Sequence, residues 1–345
     1  MAWEKLGTTS VGGAPPSTSW KELGRQTLSG SGDVMTTGTI TAKDNLMILY
    51  YGDGDGDMIN KLTFNDDTGN NYAYRLSDGG ATDSTTTSNA FLEFATSSSS
   101  NEFSVANVVN IANQEKLVQL NHVGQNTAGA GTAPRRRELA GKWANTSNAI
   151  TKVTATNSQS GSFGSGSELI VLGYDNDEAD SGTNFWQELA NVELSSEGDS
   201  LSSGTITAKK YYMVRVSMLD GSGNSAPTLR LGTGGSIDTG NNYAYRYARD
   251  GASDSTATSQ QWVQGQVNPN TSHSNETYFI SNISGQEKLI ICHGANSKGG
   301  ASTAPQRTEI VAKWANTAQA NVIAVANDDS GDFGVGSHIQ VFGAD

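Results

Sequence analysis

The chain repeats its own sequence at an interval of about 170 residues over nearly its whole length. The longest identical stretch is Thr-Gly-Asn-Asn-Tyr-Ala-Tyr-Arg, which occupies 68–75 and again 239–246. Five shorter motifs return in the same order: 20–23 at 186–189, 38–43 at 204–209, 114–117 at 286–289, 132–134 at 303–305, and 142–146 at 313–317. A repeat of this size predicts two copies of one domain, produced by duplication.

The repeat also predicts where the domains begin and end. A polar, acidic stretch without an apolar pattern separates the two copies and is typical of a linker. The expected parts are an N-terminal arm at 1–19, a first domain at 20–174, a linker at 175–185 and a second domain at 186–345. Within the arm, Trp3 and Leu6 echo the start of the first domain, so we expect an assembly arm or, alternatively, a disordered tail.

Apolar residues alternate with other residues in the strongest segments of both copies. Leu46, Ile48 and Tyr50 follow this period of two, which predicts a half-buried β-strand. About eight such segments per copy are separated by turns rich in Gly, Asn, Asp and Ser. The predicted fold is all-β, with two tandem antiparallel β-sandwich domains of jelly-roll-like form.

Charge and composition argue against several classes of partner. The formal net charge of −13 disfavours nucleic acid, and the cluster Arg135–Arg137 is not kept in the second copy. The chain shows no signal peptide and no membrane-spanning apolar run, so we expect a soluble protein made in the cytoplasm, with no membrane insertion. Its one cysteine, Cys292, is expected to be a small buried hydrophobe.

Catalytic motifs are not found in the sequence. It has no nucleophile elbow, no phosphate-binding loop and no His-Glu-x-x-His motif. Its four histidines are scattered, and His122 and His293 are read as an equivalent pair at the edges of the two cores. We therefore predict that the chain is not an enzyme.

Three aspartates are spaced like the opening of a calcium loop. Asp53, Asp55 and Asp57 alternate with glycine, but the acidic residue expected eleven positions after Asp53 is replaced by Phe64. Calcium is therefore one interpretation. The other is a glycine-rich hairpin tip.

The identical stretch of the two copies holds the candidate binding residues. If exposed, Tyr72, Tyr74 and Arg75, with Tyr243, Tyr245 and Arg246 in the second copy, would form a patch for stacking on a sugar or binding a protein. The alternative is that the tyrosines pack inside the sandwich while the arginines pair with carboxylates. Trp143 and Trp314 are expected to anchor the two cores.

The ordered set of motifs resembles jelly-roll-like virion structural proteins of tailed phages and related, often marine, viruses. The resemblance covers 20–174 and 186–345 and rests on the repeated motifs above and on Gly-Ser-Glu-Leu-Ile-Val-Leu-Gly at 166–173. It implies a non-enzymatic capsid decoration or fibre component on the virion surface, assembled in the host cytoplasm. Its partners would be other virion proteins, further copies of itself and a host surface glycan used for attachment. The alternative function is a carbohydrate-binding module or adhesin.

Overall fold

The protein is an all-β molecule built from antiparallel strands, as predicted. The computed structural model describes residues 20–98, 100–176, 184–219, 221–265, 273–298 and 300–345. Every paired strand in these ranges is antiparallel to its neighbours. Within them no helix is long and apolar enough to cross a membrane.

The described chain folds into two compact units. The first contains the described residues up to 126 together with those of 135–186, and the second contains 127–134 together with the described residues of 187–345. The predicted linker, 175–185, lies largely outside the described residues, since 177–183 are among those not described.

The first unit has fourteen strands among its described residues. They are β1 (Lys21–Thr27), β2 (Val34–Thr36), β3 (Asn45–Gly52), β4 (Gly54–Asp55), β5 (Asp57–Phe64), β6 (Tyr72–Asp78), β7 (Ser84–Asn89), β8 (Leu92–Ser98), β9 (Glu102–Val109), β10 (Lys116–Gly124), β11 (Arg135–Trp143), β12 (Val153–Asn157), β13 (Ser162–Phe163) and β14 (Glu168–Tyr174). A large sheet has the order β1-β14-β3-β9-β10-β11-β6-β7, and a smaller one the order β2-β12-β5-β8. The apolar core draws on both sheets, from Ile48 and Leu120 on the large one to Phe64 and Val153 on the small one, which defines a β-sandwich.

The second unit has thirteen described strands. They are β15 (Gln187–Glu193), β16 (Ser200–Ser202), β17 (Tyr211–Met218), β18 (Pro227–Thr233), β19 (Ser236–Ile237), β20 (Tyr243–Arg249), β21 (Ser255–Gln260), β22 (Val263–Gln264), β23 (Ser274–Ser281), β24 (Lys288–Asn296), β25 (Gln306–Trp314), β26 (Val322–Asn327) and β27 (His338–Ala344). Its large sheet, β15-β27-β17-β23-β24-β25-β20-β21, follows the same strand order as the large sheet of the first unit.

Two sequence expectations about the strands were wrong. Each unit has more strands than the eight predicted, because short strands such as β4 and the polar strand β7 carry no apolar alternation. In β3 the alternation of Leu46, Ile48 and Tyr50 predicted a half-buried strand. The intervening residues Met47, Leu49 and Tyr51 are buried as well.

Candidate interaction site

The repeated motif 68–75 begins in a turn that is closed by the carboxylate of Asp67. Asp67 accepts hydrogen bonds from Gly69 N (2.9 Å), Asn71 Nδ2 (2.9 Å) and Trp143 Nε1 (2.6 Å). Burial favours the neutral acid, but the three donors outweigh burial and lower the pKa of Asp67 below its usual value. The motif therefore contributes an internal turn that fixes the core tryptophan.

Tyr72, the first tyrosine of this motif, lies inside the sandwich. Its ring stacks on Trp143 with 6.4 Å between centroids, and its hydroxyl accepts a hydrogen bond from Phe64 N (2.9 Å). The second unit repeats this arrangement with Asp238, Trp314, Tyr243 and Leu231.

Of the two interpretations of the four tyrosines, the exposed binding patch does not form, and the structure has the alternative, in which they pack inside the sandwich. Tyr72 and Tyr243 are 1% and 0% exposed, and Tyr74 and Tyr245 only 9% and 5%. Their rings face the core because alternate residues of a strand point to one side of the sheet. Arg75 and Arg246 lie on the opposite side, where each guanidinium is 3.7 Å from an aspartate, Asp83 or Asp254.

Residues 127–134, which we call the docking segment, bind the second unit's large sheet through their backbone. This attachment includes four hydrogen bonds. They are Lys313 Nζ to Thr127 O, Gly129 N to Glu287 Oε1 (2.6 Å), Ser259 N to Ala130 O (2.9 Å) and Arg246 Nε to Pro134 O (3.0 Å). Backbone groups of the segment make each of the four bonds named here, so the conformation of the segment contributes to its recognition.

We call the docking face the four residues that bond to the segment, Glu287, Lys313, Arg246 and Ser259, together with Leu289, which pairs with Lys313 across the sheet. Leu289 and Lys313 are fully buried and Glu287 is 9% exposed. Burial lowers the pKa of Lys313, and the neighbouring Glu287 carboxylate opposes this shift. A buried ammonium needs an acceptor for its protons, and the carbonyl of Thr127 supplies one.

Ser259 presents its backbone N–H to the segment because the sheet is irregular there. The pairing of β20 with β21 shifts register between Tyr243 and Tyr245, as in a β-bulge. Ser259 lies at this shift with a φ of 51°. A bulge leaves one residue outside the ladder, so its amide is available to another partner.

The first unit carries the same five residue types at the corresponding positions of its large sheet. We call this set the open face: Glu115, Leu117, Lys142, Arg75 and Ser88. Leu117 pairs with Lys142 just as Leu289 pairs with Lys313. Ser88 also has a φ of 51°, beside a register shift between Tyr72 and Tyr74.

Three positions of the open face are much more exposed than the buried Glu287, Leu289 and Lys313 of the docking face. Leu117 is 56% exposed, and its cross-strand neighbour Val109 is 44% exposed. Lys142 and Glu115 form an ion pair of 2.8 Å with side chains 43% and 42% exposed. The repeats that contain Glu115, Leu117 and Lys142 were recognised, but no functional role was predicted for these three residues.

The predicted calcium site gains no complete ligand set from the structure. In the described part of the chain, no group of three or more His, Cys, Asp or Glu residues is arranged to hold a metal ion. Asp53 accepts a backbone hydrogen bond from Gly164 N (2.6 Å), and β4 pairs with β13, so this turn is built into a small ladder. The side chain of Asp55 lies outside the described part.

A buried polar cluster lies in the core of the first unit. Glu102 accepts hydrogen bonds from Tyr50 Oη (2.7 Å) and Asn60 Nδ2, and His122 Nδ1 lies 3.0 Å from Ser104 Oγ. Burial raises the pKa of Glu102 to about 7, against the hydrogen bonds that lower it. Burial, assisted by Arg137, lowers the pKa of His122 to about 3. Both side chains are fully buried.

The predicted equivalence of His122 and His293 was wrong. Lys116 and Lys288 are matched, since each pairs with the core tryptophan of its own unit. Counting along β10 and β24 from these lysines, His122 corresponds to Gly294. His293 therefore faces the opposite side of its sheet.

The buried pair predicts a pH dependence of stability. The contribution of Glu102 is complete below pH 4.5 and is lost as the pH rises to about 7. That of His122 is complete above pH 6.5 and is lost as the pH falls to about 3. Between pH 4.5 and 6.5, Glu102 makes the unfolding free energy fall as the pH rises, and His122 makes it rise. Glu102→Gln removes the first effect. The slope of unfolding free energy against pH should therefore be more positive than in the wild type, by up to about 1.4 kcal/mol per pH unit.

Denaturant unfolding at a series of pH values measures this slope. The control is Val335→Ala, at an exposed residue without a titratable group, which should leave the slope unchanged. Parallel curves for Glu102→Gln and the wild type would contradict the assignment.

The arm residues Trp3 and Leu6 lie outside the described residues, so their predicted role in assembly stays a prediction.

No family model and no curated protein matches the chain. Among solved structures it is similar to domains LG4-5 of the mouse laminin alpha1 chain, at 11% identity over 96% of this chain and 92% of that one, with a TM-score of 0.21. It is also similar to the PBSX exported protein XepA, at 10% identity over 94% and 85% of the two chains, with a TM-score of 0.16. An acyl-CoA hydrolase from Agrobacterium tumefaciens follows at 6% identity over 75% and 80%, with a TM-score of 0.15. At these TM-scores none carries an argument about this chain.

Proposed function

We propose that this chain is a non-enzymatic structural protein that works through protein–protein contacts on the surface of a virus particle, as a capsid decoration or fibre component. The observation that carries the proposal is the docking face, which holds a peptide segment by its backbone, together with the exposed set of matching residues on the first unit. Exposed apolar residues beside a polar rim are typical of interaction surfaces.

The repeated residues support a structural role. The longest identical stretch builds the turn and the tyrosine stack that hold Trp143 and Trp314, so its identity in both copies serves packing. Glu102 and His122, which hydrogen-bond inside the first core, are fully buried. Both observations favour a protein that binds over one that catalyses.

The virion location rests on the motif resemblance. Under this proposal the partners are other virion proteins and further copies of the chain, assembly takes place in the host cytoplasm, and the finished particle displays the protein.

The alternative of a carbohydrate-binding module or adhesin needs exposed aromatic rings for stacking on sugar. The tyrosines that were predicted for this purpose are buried, which removes its main residues. A glycan array probed with the full chain tests it: the proposal predicts no binding above that of the heat-unfolded chain, and a discrete set of bound glycans would favour the alternative.

Antibodies to the chain test the proposed function on intact particles from the source culture. Immunogold electron microscopy should show label at regular positions on the particle surface. A matched control uses antibodies first absorbed with the purified chain. Label that is missing from particles while the chain is abundant in the host lysate would contradict a virion role.

A further inference from the structure

The second unit has a loop that corresponds to the docking segment, with nearly the same sequence but greater exposure to solvent. We call residues 300–305 the open segment. Its sequence Gly-Ala-Ser-Thr-Ala-Pro corresponds to Gly-Ala-Gly-Thr-Ala-Pro at 129–134, a difference of one residue. Gly129 and Gly300 both have positive φ, at 82° and 62°. The open segment therefore has the sequence, and at this glycine the backbone form, that the docking face binds.

The two segments differ in burial, as the two faces do: the docking segment is partly buried and the open segment is exposed. Ala133 and Pro134 of the docking segment are buried, whereas Thr303, Ala304 and Pro305 of the open segment are exposed. One face and one segment are engaged, and the matching face and segment are both exposed.

We propose that the open face of one copy binds the open segment of a second copy, so that chains associate head to tail. This inference rests on the proposed function and names its partner as another copy of the same chain. Glu115 would accept from Gly300 N, Arg75 would donate to Pro305 O and Ser88 N would donate to Ala301 O, as their counterparts do for the docking segment.

The geometry of this contact is heterologous, because the face and the segment are different surfaces of the chain. A heterologous contact leaves a free face at one end of every dimer and a free segment at the other. It therefore generates an open chain of copies or a ring. Leu117 supplies the apolar centre, and its exposed area is removed from water on binding.

Two single substitutions separate the two halves of the contact. Leu117→Glu places a charge at the centre of the open face, and Ala304→Arg places a bulky cation in the open segment. Both positions are exposed, so the fold should tolerate the changes. Val335→Glu is the matched control, since Val335 is also 56% exposed but belongs to neither the face nor the segment.

Sedimentation velocity of the full chain over a concentration series measures the association. The wild type and Val335→Glu should form larger species as concentration rises, and each of the two test variants should associate at least about tenfold more weakly. An equimolar mixture of Leu117→Glu and Ala304→Arg should form a dimer and nothing larger, because each variant retains the half that the other lacks.

A wild type that stays monomeric at every concentration would overturn the inference, as would association that both variants leave unchanged. The second result would move self-association to another surface and leave the proposed protein-contact function standing. The proposed function on the virus particle is tested separately, by the immunogold labelling of particles.

Discussion

Replacing Trp143 with alanine should destabilise the first unit by about 3–5 kcal/mol. The substitution removes a fully buried ring that stacks on Tyr72, and it leaves a cavity in the core. It also removes the indole N–H that donates a hydrogen bond to the carboxylate of Asp67. Trp314→Ala should cost a similar amount in the second unit, where the same contacts recur.

Hydrogen exchange followed by mass spectrometry assigns the loss to one unit. Trp143→Ala should lower the protection of β10 and β11 and leave that of β24 and β25 almost unchanged. Trp143→Phe is the control that retains an aromatic ring, and it should cost only about 1–3 kcal/mol because Asp67 still loses its donor. A loss below about 1 kcal/mol for Trp143→Ala would contradict the anchoring role.

Lys313→Ala should destabilise the second unit by about 1–3 kcal/mol, whereas Lys142→Ala should change the first unit by no more than about 0.5 kcal/mol. The two lysines occupy the same motif, but Lys313 is fully buried against the docking segment and the Lys142 side chain is 43% exposed. Removing Lys313 leaves the carbonyl of Thr127 and the carboxylate of Glu287 without a buried cation.

Hydrogen exchange at the amide of Gly129 reports on the docking segment directly, since that amide is bound to Glu287. Lys313→Ala should raise its exchange rate, and Lys142→Ala should leave it unchanged. Equal effects of the two variants on stability and exchange would show that the docking face does not hold the segment.

The alternation of apolar residues predicted the all-β fold, and the sequence repeat showed the same tyrosine-bearing motif at 68–75 and 239–246. The alternation in β6 was sufficient to predict that Tyr72 and Tyr74 share a side, because strand geometry alone decides that. The polar strand β7, with sequence Ser-Thr-Thr-Thr-Ser-Asn, was missed because its pairing depends on the neighbouring strand and leaves no apolar pattern.

The docking face lay beyond what local sequence can predict. Lys142 and Lys313 are both followed by Trp-Ala-Asn-Thr, yet one is exposed and the other fully buried. The difference comes from a segment distant in the chain, residues 127–134, which the local motif does not describe. His122 was wrongly paired with His293 for a different reason. The offset between the repeats is 172 at Lys116 and Lys288 but 171 between the two histidines, so the pairing was one residue out.

Cross-linking of mixed isotopic copies tests the central claim most directly. In the proposed assembly Lys298, which stands where the docking segment has Thr127, comes close to Lys142 of a second copy. When equal amounts of ¹⁵N-labelled and unlabelled chain are treated with an amine-reactive cross-linker, a Lys142–Lys298 peptide joining a light to a heavy chain is expected. Two results would contradict head-to-tail assembly through this face. In one, the Lys142–Lys298 cross-link never joins a light chain to a heavy chain. In the other, copies are cross-linked at other positions and both of these lysines stay unreacted.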